Sequence, residues 1–267
     1  MNDLVHVYRA HIRFFVQQQL QYRVELSIWL IARVLNPVIY LLVWSAVARA
    51  NGGAVNSLSS GELVAYFLAE LLVNFVTDTT VMWKYEYRVR NGKLSLLLLH
   101  PLHPIHVDLA ENIATKAVNS LVLWPALMLL TWLFKPVWHI SLVALLFIIP
   151  ALLLAYALRF LAEWTLAMAA FWTTRASALN QGYLVVLLFL SGQIAPLTLL
   201  PQPLQGLATL LPFRWMLAFP IAVITGQLTL QASLAGLLVQ GCWLIALLLL
   251  CMSVWHLGVR HYSAVEA

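Results

Sequence analysis

Three histidines, His100, His103 and His106, recur at every third position, and imidazole nitrogens are common zinc ligands. Pro101 and Pro104 interrupt any helix that could align the three rings, and no carboxylate or cysteine lies among them. The spacing therefore does not favour a metal site, and we predict that the chain binds no metal ion. Polar contacts to a protein partner or to phosphate head groups suit these histidines better.

Only one Gly-Lys pair, Gly92-Lys93, could belong to a phosphate-binding loop. Such a loop reads Gly-x4-Gly-Lys-Ser/Thr, whereas here Leu94 follows the lysine and Tyr87 stands where the first glycine is needed. The chain also lacks the Gly-x-Ser-x-Gly pattern of a nucleophile elbow. We predict that it is not an enzyme and that it binds no cofactor itself.

Five charged residues lie in or near long apolar stretches, where burying an ionisable group costs about 2.5 to 3.5 kcal/mol on insertion scales. Arg159 and Glu163 are four residues apart, so they share one helical face and can form an ion pair. Glu70 and Arg33 could pair across helices or line a substrate path. Asp78 lies near the end of its apolar run, where water can reach it.

The composition of the chain identifies the solvent that its surface meets. Of the 267 residues, 63% are hydrophobic and only 9% are charged, and the mean hydropathy is +0.87. Soluble domains contain about 25% charged residues, so the outer surface of this chain must lie in lipid. The apolar runs are continuous and do not alternate, which excludes a β-barrel pattern and predicts an all-α polytopic membrane protein.

A transmembrane helix needs about 20 mostly apolar residues. With this criterion, the sequence predicts one transmembrane domain over residues 1–267 with six spans, at 26–48, 61–82, 117–134, 141–172, 181–200 and 234–257. The segment 201–226 is apolar, but four prolines break it, at positions 201, 203, 212 and 220. We expect a re-entrant or surface-lying external hairpin there, before the last span.

The positions of lysine and arginine predict the orientation, because cytoplasmic loops carry an excess of both. With six spans, both termini share one side of the membrane. That side carries ten basic residues and the other side carries Arg49, Lys135 and Arg214; the ten are Arg9, Arg13, Arg23, Lys84, Arg88, Arg90, Lys93, Lys116, Arg175 and Arg260. Both termini are therefore expected in the cytoplasm, and the basic net charge needs no nucleic-acid partner to explain it.

The first 25 residues form an amphipathic pattern. Apolar and polar residues alternate there at roughly helical spacing, with Val5, Ile12, Phe15, Val16 and Leu20 set among Arg9, Arg13, Gln17, Gln18 and Arg23. This pattern predicts an interfacial helix over 1–25. It could brace the bundle as an elbow on the cytoplasmic leaflet, or it could serve only as a membrane anchor.

The predicted cytoplasmic loop, 83–116, contains a short leucine-rich segment between a glycine and two prolines. Gly92 allows a tight turn, residues 94–99 can form one short helix, and Pro101 and Pro104 end it. A group of leucines exposed to the cytoplasm is typical of a surface that binds a partner or a membrane. A partner protein could cover these leucines, or the segment could dip into the bilayer surface.

This loop resembles that of the membrane subunits of type 2 ABC exporters. Their pattern is an acidic residue, then Arg-x-Gly-x-Leu, then a leucine-rich helix closed by x-Pro-Leu-x-Pro, and the matching residues are Glu86, Arg90, Gly92, Leu94, Leu98, Leu99, Pro101, Leu102 and Pro104. The resemblance implies that 94–100 is the coupling helix, which sits in a groove of the ATPase subunit. It implies ATPase contacts at Glu86, Arg90, Gly92, Leu94, Leu98, Leu99, His100 and Pro101.

The order of the elements along the chain resembles the same family, with six spans and a proline-broken run before the last span. It is most similar to the subgroup in which two different permeases pair with an ATPase. The resemblance implies a permease subunit in a bacterial inner membrane, with a second permease and an ATP-binding subunit that holds ATP and Mg²⁺. The alternative is an ion-coupled secondary transporter, which would need charges at the bilayer midplane and an internal repeat that the sequence does not show.

Overall fold

The computed structural model describes residues 2–21, 23–55, 58–173 and 175–262, with the side chains of 2–5, 20, 23–33 and 143 not included. Its α-helices are α1 Asn2–Gln21, α2 Arg23–Ala50, α3 Ser60–Thr77, α4 Val81–Arg90, α5 Lys93–Leu98, α6 Pro104–Phe134, α7 Leu142–Ala167, α8 Ala176–Leu190, α9 Gln202–Leu210, α10 Phe213–Met216, α11 Ala218–Ile224 and α12 Leu230–His261. Two 3₁₀ turns follow α7 and α8, at Met168–Phe171 and Leu197–Leu199. Strands β1 Ala54–Val55 and β2 Leu58–Ser59 form an antiparallel pair.

The protein is an all-α membrane protein. Among the described residues, four helical segments are long and apolar enough to cross a bilayer: Ser60–Arg90, Pro104–Phe134, Ala144–Phe171 and Leu230–His261. Two shorter apolar helices accompany them, at Val34–Ala50 and Ala176–Leu190. These six segments fall on the six predicted spans. Val34–Ala50 is the part of α2 whose side chains are described, and the whole helix has 28 residues, whereas α8 has only 15.

Side chains at the first residues of the long helices explain where those helices begin. At α3 the Ser59 hydroxyl accepts the Glu62 N–H, and the Glu62 carboxylate accepts the Ser59 N–H at 2.8 Å, which completes a capping box. Ser141 caps α7 and Thr229 caps α12 in the same way, each accepting the N–H three residues ahead. His103 caps α6, and Pro104 occupies the first helical position.

Three of the predicted spans differ from the helices of the structure. The span predicted at 61–82 is interrupted, because α3 ends at Thr77 and α4 begins at Val81. The span predicted at 117–134 begins at Pro104, so much of the predicted loop 83–116 is helix. The polar residues early in α6 are typical of a loop, but in the structure they bind neighbouring helices. Asp108 accepts from Arg88 of α4, and Thr115 accepts from Gln19 of α1.

The span predicted at 181–200 is also wrong at both ends, because α8 covers only Ala176–Leu190. Its 15 residues extend about 22 Å at 1.5 Å per residue, which is short of the bilayer core of about 30 Å. The helix stops because Gly192 adopts a left-handed backbone with φ of 88°, and Pro196 follows. Trp44 of α2 donates to the carbonyl of Ile194 at 2.9 Å and holds the chain beyond α8 against the bundle.

The predicted external hairpin, 201–226, consists of the three short helices α9, α10 and α11. Helix α9 is largely exposed, whereas α11 buries Phe219, Ile221 and Val223 against α7 and α3. Gly226 ends this segment with φ of +71°, and a Cβ there would lie 1.7 Å from the carbonyl oxygen of His139. The segment therefore combines a surface helix with a helix inserted into the bundle.

The first half of α1, the end of α12 and the short helix α5 meet at one end of the bundle, which we call the basal end. Tyr8 of α1 lies 2.7 Å from His106 of α6, and Gln19 donates to Thr115 at 3.1 Å. The later residue of α1 contacts the later residue of α6, so α1 runs beside the start of α6 in the same direction. At the other side of the basal end, Tyr262 lies 3.0 Å from the Ser95 hydroxyl of α5.

Candidate functional site: an exposed leucine surface and a buried polar joint

A sharp turn at Asn91 and Gly92 connects α4 to α5. Gly92 adopts φ of 64°, a left-handed conformation that costs about 1 to 2 kcal/mol for a residue with a Cβ. The turn lets α5 leave the direction of α4 and lie across the basal end. The glycine of the predicted motif is thus required by the backbone.

The leucines of α5 that the sequence predicts as ATPase contacts differ in exposure. Leu94 is fully buried, and Leu97 and Leu98 are half-buried against the main core. Leu96 is 64% exposed and Leu99 is 82% exposed. The buried Leu94 therefore anchors α5, whereas Leu96, which the sequence motif did not single out, shares the outer surface with Leu99.

His100 and Pro101 follow this surface and are exposed, as is the Arg90 side chain at the end of α4. We call Leu96, Leu99, His100 and Pro101 the leucine surface. Helical spacing could have suggested Leu96, because it lies three residues before Leu99. The spacing alone could not tell which side of a short leucine-rich helix the rest of the protein covers.

Helix α4 is fixed to α6 by charged contacts around Asp108, which is only 2% exposed. Its carboxylate accepts from Arg88 at 2.6 Å and from the hydroxyl of Tyr85 at 3.2 Å, both on α4, and from the indole of Trp164 on α7 at 3.0 Å. Three donors satisfy the buried charge, which would otherwise be costly. A second ion pair joins Lys84 to Glu111 at 2.5 Å.

Glu86, a predicted ATPase contact, faces inward. Its carboxylate accepts the backbone N–H of Ser177 at 2.8 Å, in the first turn of α8. A carboxylate is favourable there, because the first N–H groups of a helix have no partner within the helix. Asn180 of α8 also donates to the carbonyl of Met82 at 3.1 Å. Glu86 therefore ties α4 to α8, with Arg90 3.8 Å away.

The break between α3 and α4, at Asp78, Thr79 and Thr80, forms a buried polar joint. Arg159 of α7 donates to Asn74 at 2.7 Å and to the hydroxyl of Thr77 at 3.1 Å, both on α3. It also donates to Asp78 at 3.1 Å and to Glu163 at 2.9 Å. The guanidinium is 3% exposed, so the pair predicted from the i, i+4 spacing is one part of a larger buried network.

Two further contacts complete the polar joint. The hydroxyl of Thr79 donates to the second carboxylate oxygen of Glu163 at 2.5 Å. The ammonium of Lys116 on α6 donates to the carbonyls of Phe75 at 3.0 Å and of Asp78 at 2.5 Å. A cation is favourable at a helix C-terminus, where the last carbonyls lack partners within the helix. Side chains from α6 and α7 thus hold the break in a defined geometry.

Glu70 lies one helical turn before Asn74 and is fully buried. Within the described part of the chain, neither carboxylate oxygen of Glu70 has a hydrogen-bond partner. The side chain of Arg33, its predicted partner, is outside the described residues. The contact between them stays a prediction.

A cavity of about 340 Å³ lies beside the polar joint. Its polar lining comes from Asn36, Asn74, Asp78, Arg159 and Gln193, and the rest is apolar surface of α2, α3, α6 and α8. Pro37 inside the continuous helix α2 also lines it, so the cavity adjoins a proline of α2, the break between α3 and α4, and the end of α8. Irregular backbone at membrane depth is tolerated where it lines a cavity.

The three histidines occupy separate environments. His103 lies between two indoles, 5.6 Å from Trp164 and 4.6 Å from Trp255 between ring centroids. Burial lowers the pKa of His103, the nearby His106 and His256 add to the lowering, and Asp108 opposes it. His106 contacts Tyr8, and His100 is exposed. Among the described residues, no three side chains of the types that bind metals are grouped around one point.

Comparison with known proteins identifies the family. The model of a family described as "ABC-2 family transporter protein" matches residues 34–265. The chain belongs to the ABC-2 transporter family. The match covers the leucine surface, the polar joint and the cavity, so all three features lie in an ABC-2-type permease, the membrane component of an ABC transporter. No curated protein and no solved structure matches the chain.

Proposed function

We propose that this ABC-2 permease forms half of an export path and takes its energy from an ATPase on a separate chain, which binds the leucine surface. The observation that carries the proposal is the pair of exposed leucines, Leu96 and Leu99, on a helix that is otherwise anchored in the protein. Exposed leucines next to charged residues are typical of a contact surface. Membership of the ABC-2 family implies association with an ATP-binding subunit.

The anchoring of α5 suits the transmission of motion. Leu94 inserts into the core, and Ser95 contacts Tyr262, so two contacts fix α5 to the rest of the protein. The turn at Gly92 joins it to α4, whose ion pairs reach α6 and whose Glu86 reaches α8. A force on the leucine surface would therefore be carried into several spans.

The basal end faces the cytoplasm in this proposal, and the six apolar helical segments are embedded in a bacterial inner membrane. The positive-inside bias supports this orientation, because Lys84, Arg88, Arg90 and Lys93 flank the leucine surface. An ATPase in the cytoplasm could then reach α5. Export as the direction of transport rests on the resemblance to type 2 exporters.

A second permease would complete the path. Apolar side chains are exposed on the two helices beside the cavity, at Leu35, Ile39, Leu42 and Val43 of α2 and at Val185, Val186 and Phe189 of α8. An identical or related permease that packed against α2 and α8 would cover these side chains and enclose the cavity from both sides. The family subgroup favours a related second chain.

Purification of the chain with a C-terminal tag from mild detergent, followed by identification of the co-purifying proteins, tests the proposal. We expect an ATP-binding subunit and a second permease. The purified complex in lipid vesicles should move substrate only when ATP is present. Recovery of the chain alone, together with transport driven by an ion gradient without ATP, would refute the proposal and support the secondary-transporter alternative.

A further inference from the structure

The break between α3 and α4 separates two parts of the chain that must move together if the permease is driven from the basal end. Helix α4 is joined to α5 and its leucine surface, whereas α3 carries Leu71, Asn74 and Phe75, which line the cavity. A continuous helix would pass a displacement along its axis. Asp78, Thr79 and Thr80 interrupt the backbone hydrogen bonding, so another structure has to bridge the two helices.

The Arg159–Glu163 pair on α7 contacts both sides of this break. Arg159 donates to Asn74 and Thr77 in the last turn of α3 and to Asp78 at the break. Glu163 accepts from Thr79 in the break itself, two residues before α4 begins at Val81. The two side chains are also bonded to each other at 2.9 Å, so they connect α3 to α4 through α7.

The burial of the pair argues for a role beyond stability. The side chains of Arg159 and Glu163 are 3% and 0% exposed. Replacing a buried ion pair with well-packed apolar residues is often neutral or stabilising, so such a pair is weak evidence for stability. A buried network with defined donors does fix one geometry among alternatives, and here that geometry belongs to the wall of a cavity.

We infer that Arg159 and Glu163 are positioning residues that transmit displacement of α4 and α5 across the polar joint to the cavity wall. The inference rests on the proposed function, because the displacement comes from an ATPase on the leucine surface. Arg159 itself lines the cavity together with Asn74 and Asp78. A shift of α4 that pulled on Glu163 or Asp78 would therefore change the walls of the cavity.

Two variants and one control distinguish transmission through Arg159 and Glu163 from the alternative that any buried hydrogen bond of α7 is required. The charge swap Arg159→Glu with Glu163→Arg keeps an i, i+4 pair but moves the guanidinium one turn away from Asn74 and Thr77. Thr79→Val removes only the hydroxyl that bonds Glu163 and keeps the size of the side chain. The control is Tyr156→Phe, which removes only the hydroxyl that donates to Asn112 at 2.9 Å, a hydrogen bond outside the polar joint. The phenylalanine ring keeps the contact that the Tyr156 ring makes with Lys116, 5.4 Å from the ring centroid.

The test uses the complex with its co-purified ATPase in nanodiscs. The reporter is the alkylation rate of Leu184→Cys by N-ethylmaleimide, because Leu184 is half-buried and lines the cavity. Cys242, which is exposed, is changed to Ser, while Cys251 is buried and stays. Alkylation is compared without nucleotide and with ATP and vanadate, and ATP hydrolysis is measured in parallel.

In the otherwise wild-type complex, nucleotide should change the alkylation rate by roughly tenfold, within the usual range of coupling between sites. The charge swap should abolish this response while the complex still hydrolyses ATP, and Thr79→Val should reduce it several-fold. Tyr156→Phe should leave it unchanged. If the charge-swapped protein does not fold, the near-isosteric Thr79→Val decides.

A full nucleotide response in the Thr79→Val complex, or in a folded charge-swapped complex, would overturn the inference and leave the proposed function standing. An equal loss in Tyr156→Phe would also overturn it, because any buried hydrogen bond of α7 would then have the same effect. Two results would overturn the proposed function and the inference together. One is that no ATPase co-purifies with the permease. The other is that nucleotide does not change the alkylation rate in the complex that carries none of these substitutions.

Discussion

Substitution of leucines on opposite sides of α5 should separate folding from partner binding. Leu94→Ala removes a fully buried side chain, whereas Leu96→Ala with Leu99→Ala removes two side chains that are 64% and 82% exposed. The chemical change is the same at all three positions. Only the direction in which the side chain points differs.

The structure gives the expected magnitudes. Loss of a buried leucine costs roughly 2 to 5 kcal/mol, so Leu94→Ala should lower the unfolding temperature in detergent clearly. The Leu96 and Leu99 double variant should change the free energy of unfolding by less than about 0.5 kcal/mol. Each of these two leucines contributes about 1.5 to 2 kcal/mol if an ATPase covers it, so the double variant should bind roughly 100- to 1,000-fold more weakly.

The assay measures both quantities on the same samples. Thermal unfolding of the purified permease reports stability, and titration of the permease in nanodiscs with the purified ATPase reports affinity. The single variants Leu96→Ala and Leu99→Ala give intermediate affinities if each leucine makes an independent contact. Wild-type affinity in the double variant would refute the assignment of the leucine surface and favour the view that α5 dips into the bilayer surface.

Three further predictions concern other parts of the molecule. Asp108→Ala should destabilise the protein by about 3 to 5 kcal/mol, because the largely buried Arg88 keeps only the Glu111 carboxylate at 3.8 Å, and Tyr85 and Trp164 lose their acceptor. Thermal unfolding should show this loss, and Asp108→Asn, which keeps the size of the side chain, should cost less. Gly226→Ala should lower the unfolding temperature more than Gly206→Ala, because Gly226 has a positive φ and a Cβ there meets the carbonyl of His139, whereas a Cβ on Gly206 meets open space. Acidification from about pH 7.5 to about pH 5.5 should destabilise the protein through His103, since its lowered pKa means that the unfolded chain binds more protons below about pH 6.5. His103→Gln should therefore make the unfolding temperature less dependent on pH, and an unchanged dependence would contradict the role of this histidine.

The sequence by itself determined the class of the protein and much of its motif structure. The scarcity of charge requires a membrane, and the apolar runs require helices, because a helix satisfies its own backbone in lipid. Gly92 predicted the turn before α5, and the four-residue spacing of Arg159 and Glu163 predicted their pairing. These features depend on residue type and local spacing, which a single sequence displays directly.

Only the tertiary structure decided where several helices begin and end. Residues 104–116 look like a loop because they are polar, yet Asp108 and Glu111 bind α4 and the stretch is helical. The break at Asp78 depends on contacts with residues far along the chain, such as Arg159. Long-range partners of this kind leave no periodic signal in the sequence.

The tertiary structure also decided which leucines face outward. In a soluble protein, an apolar position is generally a buried one, but a membrane helix can be apolar on every side. Leu94 and Leu99 are therefore equivalent in the sequence, although one is in the core and the other is 82% exposed. The hydrogen bonds from Arg159 to Asn74 and Thr77 of α3 also depend on the tertiary structure. They form because α7 packs against the polar joint, and the sequence spacing of these residues does not predict them.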